Sequence, residues 1–270
     1  MRDELELAND LSVQAGDILL KHFAEKSPVQ WKGKDSPVTE ADRAASRFIV
    51  EAIRRQFPRD GILSEEERDN AERLSRSRVW IIDPMDGTSE FVAGRTEFAV
   101  MIGLAVDGKP LLGSVYHPAA QKLYFAKRGS GAFLETRKTQ TKLSVSRETN
   151  PERATIVASR SHDSSASQQV RKILDVGNVI HVGSVGLKVG LMCEGQAHLY
   201  LHMGSGTNQW DTCAPEIILQ ESGGRMSDVF NLPLQYNTPM TKNVYGIIAS
   251  NGVLHDLAVE AAGKVRRIES

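Results

Sequence analysis

The stretch Val79-Trp80-Ile81-Ile82-Asp83-Pro84-Met85-Asp86-Gly87-Thr88 decides most of what this chain can be. An apolar run that stops at Asp-Pro reads as a buried strand breaking into a loop. The loop sets two carboxylates, a backbone carbonyl, a glycine and a hydroxyl side by side at the end of a rigid element. Like charges held this close repel unless a cation lies between them, and Gly87-Thr88 offers backbone N–H groups to an anion. Metal on one side and phosphate on the other is the simplest functional reading. The same hexamer also reads as an Asp-Pro/Asp-Gly turn ending a strand.

Further acids follow a similar pattern. Ile62-Leu63 runs into Ser64-Glu65-Glu66-Glu67, and before it lies Pro37-Val38-Thr39-Glu40-Ala41-Asp42. Downstream, Trp210-Asp211-Thr212-Cys213-Ala214-Pro215-Glu216 opens an apolar stretch that closes at Gly223-Gly224. Each acid has a plain structural explanation on its own. Asp42 suits the back-capping position of a Thr39-x-x-Asp42 capping box, Asp211 suits a helix N-cap, and Glu65 to Glu67 suit a solvated run before Arg68. In order, however, the blocks resemble the metal-dependent phosphatase superfamily that contains inositol monophosphatase and the 3′(2′),5′-bisphosphate nucleotidases, closest in motifs to the nucleotidases. The resemblance spans roughly residues 5 to 260.

The resemblance implies a layered αβαβα sandwich of the inositol monophosphatase/fructose-1,6-bisphosphatase type. It implies two Mg²⁺ ions held by Glu65, Asp83, Asp86, Asp211 and the carbonyl of Met85, with Asp83 as the bridge. Glu65 and Met85 would complete one site, Asp86 and Asp211 the other, and some relatives carry a third, weaker ion near Glu65. Oxygen-only ligands suit Mg²⁺ or Mn²⁺ and argue against zinc. Asp42 and Thr88 resemble the family's water-activating pair, so no histidine base and no phospho-enzyme are expected. Phosphate would rest on the Gly87 and Thr88 amides. Lithium sensitivity is implied as well. Haloacid-dehalogenase phosphatases also place acids before Gly-Thr, but with one intervening residue, whereas Pro84 and Met85 both intervene here. An EF-hand fails because Met85 and Gly87 occupy ligand positions.

Three features lean toward a nucleotide substrate, 3′-phosphoadenosine 5′-phosphate hydrolysed to AMP and phosphate. Ser159-Arg160-Ser161-His162 resembles a segment that nucleotidases use near the purine and its phosphates. Gly183-Ser184-x-Gly186-x-Lys188 supplies a lysine where inositol monophosphatases usually have an apolar residue. The Trp210–Glu216 block also resembles the nucleotidase version. Ser159, His162, Ser184 and Lys188 therefore join Glu66, Asp86, Gly87, Thr88 and Asp211 as the implied substrate-binding set. Lys188 would anchor the second phosphate, although it also reads as a snorkelling surface lysine. His202 departs from the arginine found in many nucleotidases, which favours a weaker adenylate grip or a broader range. The alternative is an inositol monophosphatase-like enzyme acting on many phosphate monoesters.

Composition agrees with an enzyme of this kind. The 270 residues are 40% hydrophobic and 25% charged, with net charge −1, so neither a nucleic-acid polymer nor a membrane is an expected partner. The acidic, interrupted Met1–Glu6 segment does not read as a signal peptide, and two cysteines cannot form a scaffold. A cytoplasmic enzyme is expected, monomer or homodimer, acting on a small-molecule phosphate monoester. The order of elements predicts α+β followed by α/β: a metal-binding domain with an antiparallel sheet over 1–150 and a substrate-binding domain over 151–270. Helices are expected over about 3–25, 39–57, 186–194, 211–221 and 252–265. Strands are expected over 98–106, 111–116 and 123–126, with Asp107-Gly108 as a hairpin turn, and over 155–158, 179–182, 197–201 and 244–249. The polar stretch 135–142 reads as irregular chain leading to a boundary near residue 150.

Overall fold

The opening helix, α1 (Glu4–Glu25), buries Leu7, Ala8, Leu11, Ala15 and Leu19, the apolar stripe its sequence carries. The computed structural model describes residues 3–25, 29–33, 36–137, 139–161 and 163–269, with backbone alone for 29–33, 36–38 and 267–269. A short hairpin, β1 (Val29–Gly33) and β2 (Ser36–Thr39), leads into α2 (Glu40–Gln56). Thr39 caps α2, and Phe57-Pro58 ends it.

A seven-stranded sheet follows in consecutive order: β3 (Gly61–Ser64), β4 (Arg78–Asp86), β5 (Ala99–Val106), β6 (Lys109–His117), β7 (Lys122–Lys127), β8 (Ala132–Glu135) and β9 (Gln140–Lys142). Only the β3–β4 pair is parallel. A single turn of helix, α3 (Thr88–Val92), leaves the end of β4. Asp107 and Gly108, with φ of 50° and 73°, form the two-residue turn joining β5 to β6. The stretch expected to be irregular instead supplies β9, and the reason lies in its position. An exposed edge strand has no face to bury, so it shows no hydrophobic alternation.

The second sheet runs β11-β10-β12-β14-β13. It comprises β10 (Thr155–Ser159), β11 (Asn178–Val182), β12 (Leu199–His202), β13 (Arg225–Ser227) and β14 (Ile247–Ser250), the first three mutually parallel and the last two joined antiparallel. Its helices are α4 (Ser165–Leu174), α5 (Val185–Cys193), α6 (Gln209–Glu221) and α7 (His255–Glu269). The strand expected from Val244 begins at Ile247, because Gly246 at φ 80° closes a turn and leaves Val244 and Tyr245 exposed. β13 and α4 are additions to the predicted elements.

Three apolar clusters define the layers. Leu11, Ile49, Trp80, Ile82, Val100 and Ile102 pack α1 and α2 against one face of the first sheet. Val79, Ile81, Met101, Val189, Tyr200 and Ile217 fill the space between the sheets around α5 and α6. Ile156, Leu199, Ile248, Val170 and Ala258 bury the far face of the second sheet under α4 and α7. The result is the αβαβα sandwich. Gly103 and Gly113, paired across β5 and β6, let α6 lie directly on the first sheet. A Cβ on Gly113 would fall 2.5 Å from the carbonyl oxygen of Ala214, and one on Gly103 would fall 2.7 Å from Sγ of Cys213. This close approach brings the start of α6 to the carboxyl end of β4. No helix among the described residues is long and apolar enough to cross a membrane.

Candidate active site

The strand β4 does not break at Asp83-Pro84, as the sequence suggests; it continues to Asp86 through a bulge. Asp83 pairs with Met101 and Asp86 with Ala99, so β4 carries one residue more than β5 across the same interval. Side chains alternate along a strand, and residues three apart should point to opposite faces. The extra residue resets the alternation. Asp83 and Asp86 therefore lie together on the side of Val79 and Ile81, while Met85 packs with Trp80 and Ile82 on the other. Proline suits this position because a bulge residue leaves the ladder without a lost hydrogen bond.

Asp83, Asp86 and Asp211 each place a carboxylate oxygen within 4.8 Å of the others. Asp83 and Asp86 are buried, and all three have their pKa values raised, Asp211 to about 7. Burial is the largest cause for each; at Asp83 the charges of Glu65, Asp86 and Asp211 add to it. Glu65 follows β3 directly, its N–H donating to the Ile82 carbonyl at 3.2 Å. The parallel β3–β4 pair thus delivers Glu65 and Asp83 side by side at its carboxyl end. Buried oxygen ligands that repel one another form a group able to hold a hard cation.

Asp42 divides its carboxylate between two tasks. One oxygen accepts the Thr39 N–H at 2.6 Å and the Thr39 hydroxyl at 2.7 Å; the other accepts the Thr88 hydroxyl at 3.1 Å. The capping box and the contact with Thr88 therefore coexist. Burial raises the Asp42 pKa to about 6 against these donors, and the charge of Glu66 adds to the rise. The Thr88 hydroxyl also lies 3.1 Å from the Met85 carbonyl. Gly87 has φ 100°, and a Cβ there would fall 2.7 Å from the carbonyl oxygen of Glu97, so the position requires glycine.

Asp211 is the third residue of α6 rather than its N-cap: Asn208 occupies the cap, and its N–H donates to the Asp211 carboxylate at 2.5 Å. Opposite, Ser184 caps α5 at φ 52° and ψ 127°, a strained backbone for a residue with a side chain. Its hydroxyl donates to Asp86 at 2.6 Å, and the Gly186 N–H donates to the same oxygen at 2.9 Å. Lys188 is not a surface lysine. It is 2% exposed, its ammonium donates to the Ser184 carbonyl at 3.0 Å, and burial lowers its pKa to about 8 against the pull of Asp86 and Asp211.

Glu65, Asp83, Met85, Asp86, Gly87, Thr88, Ser184, Lys188 and Asp211 line a cavity of about 880 Å³ together with Ser159, Ser161, Asp163, His202, Trp210 and Lys242; Asp42 stands behind Thr88, off the lining. Its walls are the carboxyl ends of strands from both sheets, the usual binding edge of parallel strands. Glu66 does not line the cavity, and His162 lies outside the described residues. A bridge unforeseen in the sequence backs the lining residues Glu90, Ser161 and Gly183. Glu97 accepts from Arg160 at 2.7 and 2.9 Å and from the Gly183 N–H at 2.9 Å, while buried Glu90 accepts from Ser161 at 2.6 Å and from Arg95. Arg160 also donates to the His181 carbonyl at 2.6 Å. Only the closeness of Arg160 to Ser159 in sequence hinted at this role.

A fold of this architecture, with an acid cluster at the strand ends, defines a class, and comparison with known proteins agrees. The model of the inositol monophosphatase family matches residues 1–267, and the chain belongs to that family. It is a phosphoric monoester hydrolase. It is 36% identical over 235 residues to the 3′(2′),5′-bisphosphate nucleotidase CysQ of Salmonella typhimurium, covering 86% of this chain and 93% of that protein. It is 34% identical over 236 residues to a histidinol-phosphatase of Chlorobaculum parvum, covering 83% and 85%. The inositol monophosphatase (IMPase) structure from Thermotoga maritima superposes with a TM-score of 0.83 at 27% identity, over 100% of both chains.

Proposed function

We propose that this enzyme is a Mg²⁺-dependent nucleotidase that removes the 3′-phosphate of 3′-phosphoadenosine 5′-phosphate. The observation that carries the reading is the likeness to CysQ over most of both chains, joined to a cavity roomy enough for a nucleotide. Glu65, Asp83, Asp86, Asp211 and the Met85 carbonyl would hold two Mg²⁺. Bound there, the ions supply phosphate neutralisation, an acidified water and a stabilised leaving oxygen. The chain's own residues do the rest. Asp42 accepts the Thr88 proton, which turns the Thr88 oxygen toward the attacking water as an acceptor. The Gly87 and Thr88 amides meet the phosphate oxygens, and Ser184 holds the Asp86 carboxylate in place. Lys188 adds a cation beside the phosphate. Ser159 lines the purine-facing side.

A second reading, a broad inositol monophosphatase-like range, is favoured by His202 standing where many nucleotidases carry arginine. Phosphate release from the bisphosphate nucleotide, inositol 1-phosphate and histidinol phosphate separates the two. The nucleotidase reading expects the bisphosphate nucleotide to lead in kcat/KM, Li⁺ to inhibit and chelation to abolish turnover. Equal rates on all three substrates would replace it with the broader range.

A further inference from the structure

A charge census of the cavity points to a residue with no role so far. The described lining carries Glu65, Asp83, Asp86, Glu90, Asp163 and Asp211, and its only lysines are Lys188 and Lys242. Lys188 is buried, and its ammonium donates to the carbonyl of Ser184, whose hydroxyl holds Asp86, so it belongs to the acid-cluster end of the cavity, where the reacting phosphate would sit. The neighbouring guanidinium groups are committed to carboxylates: Arg160 to Glu97 at 2.7 Å, and Arg171 to Asp163 at 2.8 and 2.6 Å. Lys242 is exposed, and no carboxylate among the described residues pairs with it.

The backbone of Lys242 is nevertheless fixed relative to the acid cluster. Lys242 bridges to Asn208, the cap of α6, three residues before Asp211. On either side the Gln209 N–H donates to the Thr241 carbonyl at 2.8 Å and the Asn243 N–H to the Thr207 carbonyl at 2.9 Å. Buried Gln209 also donates through its side chain to the Met240 carbonyl at 2.9 Å, and the Asn243 side chain donates to the Asn208 carbonyl at 2.9 Å. A flexible ammonium thus stands on a braced segment, at a set distance along the chain from the acids that would face the scissile phosphate.

We propose that Lys242 is a specificity-determining residue that receives the second, non-reacting phosphate of the substrate. This rests on the bisphosphate-nucleotide reading above. On that reading the metal ions would answer the acids around the scissile phosphate, but a second phosphate needs a cation of its own, and Lys242 is the exposed lysine on the lining that can supply one. The contact is solvent-exposed, so salt screens it.

The test compares kcat/KM for 3′-phosphoadenosine 5′-phosphate and for 3′-AMP, which differ only in the 5′-phosphate, using the Mg²⁺-loaded enzyme. Wild type favours the bisphosphate, and added salt erodes the preference. Lys242→Met should cut the bisphosphate-to-monophosphate ratio about tenfold, mainly through KM, the size expected of one exposed charge-assisted contact. Lys242→Glu should cut it further, Lys242→Arg should retain it, and the Met variant should lose the salt dependence. A wild-type preference left intact by Lys242→Met overturns the proposal while sparing the nucleotidase reading. A wild-type ratio near one overturns both. Melting temperatures of the variants exclude misfolding as the cause.

Discussion

Two helices begin at the site in the same way and end up serving opposite needs. Both α2 and α6 carry an acid at their third position that accepts the backbone N–H of the cap residue. Around Asp42 the protein supplies donors: an N–H and two hydroxyls satisfy both carboxylate oxygens. Around Asp211 it supplies Asp86 and Asp83 instead. The same capping geometry is complete in one place and left short of positive charge in the other, with buried Lys188 the nearby compensation. A capping acid can therefore be read as structural or functional only from what faces its second oxygen.

The sharpest way to break this comparison is Asp83→Asn. Turnover should fall by roughly a thousandfold or more, because the cluster loses the charge that would bridge the ions. The metal-free protein should at the same time become more stable at pH 8, melting at least about 2 °C higher, since one of several mutually repelling buried charges is gone. Phosphate release and scanning calorimetry on the same preparation check both halves. A melting temperature that drops with activity would show that the acid holds the fold rather than the cation.

Stability against pH extends the comparison to the wild type. Asp42 at about 6 and Asp211 at about 7 stand above their unfolded value of 3.8, and Asp83 and Asp86 are raised too. The folded state then binds more protons than the unfolded one, so these groups make stability fall as pH rises from about 4 to beyond 7. His255, lowered to about 4 by burial, acts in the opposite sense below its unfolded value of 6.5. Comparing metal-loaded with chelated protein cancels the His255 contribution. The difference in melting temperature should be small at pH 5 and grow by several degrees toward pH 8. A difference that does not change with pH would mean that the acid cluster is not where the cation binds.

How much of this was legible in sequence depended on whether a feature is local. The acids Asp42, Glu65, Asp83, Asp86 and Asp211 could be chosen because residue type and order along the chain carry that information. The bulge could not, since it exists only in the pairing of β4 with β5. Lys188 read either as a phosphate anchor or as a surface lysine, because a helix pattern does not reveal that α5 lies between two sheets. The Arg160–Glu97 bridge joins residues 63 positions apart, and nothing in either neighbourhood announces the other. The site's chemistry was written locally; its electrostatic balance was not.

The smallest expected effect belongs to the satisfied side. Thr39→Ala removes a helix cap and one donor to Asp42, and should cost about 1 kcal/mol of stability, or about 2–4 °C in melting temperature. The loss should be equal with and without metal, because this acid answers to hydroxyls. Thermal melts in chelator and in Mg²⁺ test that equality, and a loss confined to the metal-loaded form would erase the distinction between the two helices.

The bulge in β4 makes the interval between Asp83 and Asp86 a matter of odd and even. Two acids separated by a single residue share a face on a straight strand; two separated by a pair share it only if the strand miscounts once. The length of the Pro84-Met85 spacer should therefore matter more than its composition. Exchanging either residue alters packing, whereas deleting one lets the strand run straight and gives up the bulge that holds both acids in their present geometry. Inserting one while the bulge persists would carry Asp86 through the sheet into the aromatic layer beneath α1 and α2, where Phe91 and Phe98 pack edge to face; only loss of the bulge would bring it back to the face of Asp83. In such a lineage, drift in the letters would be tolerated long before drift in the count.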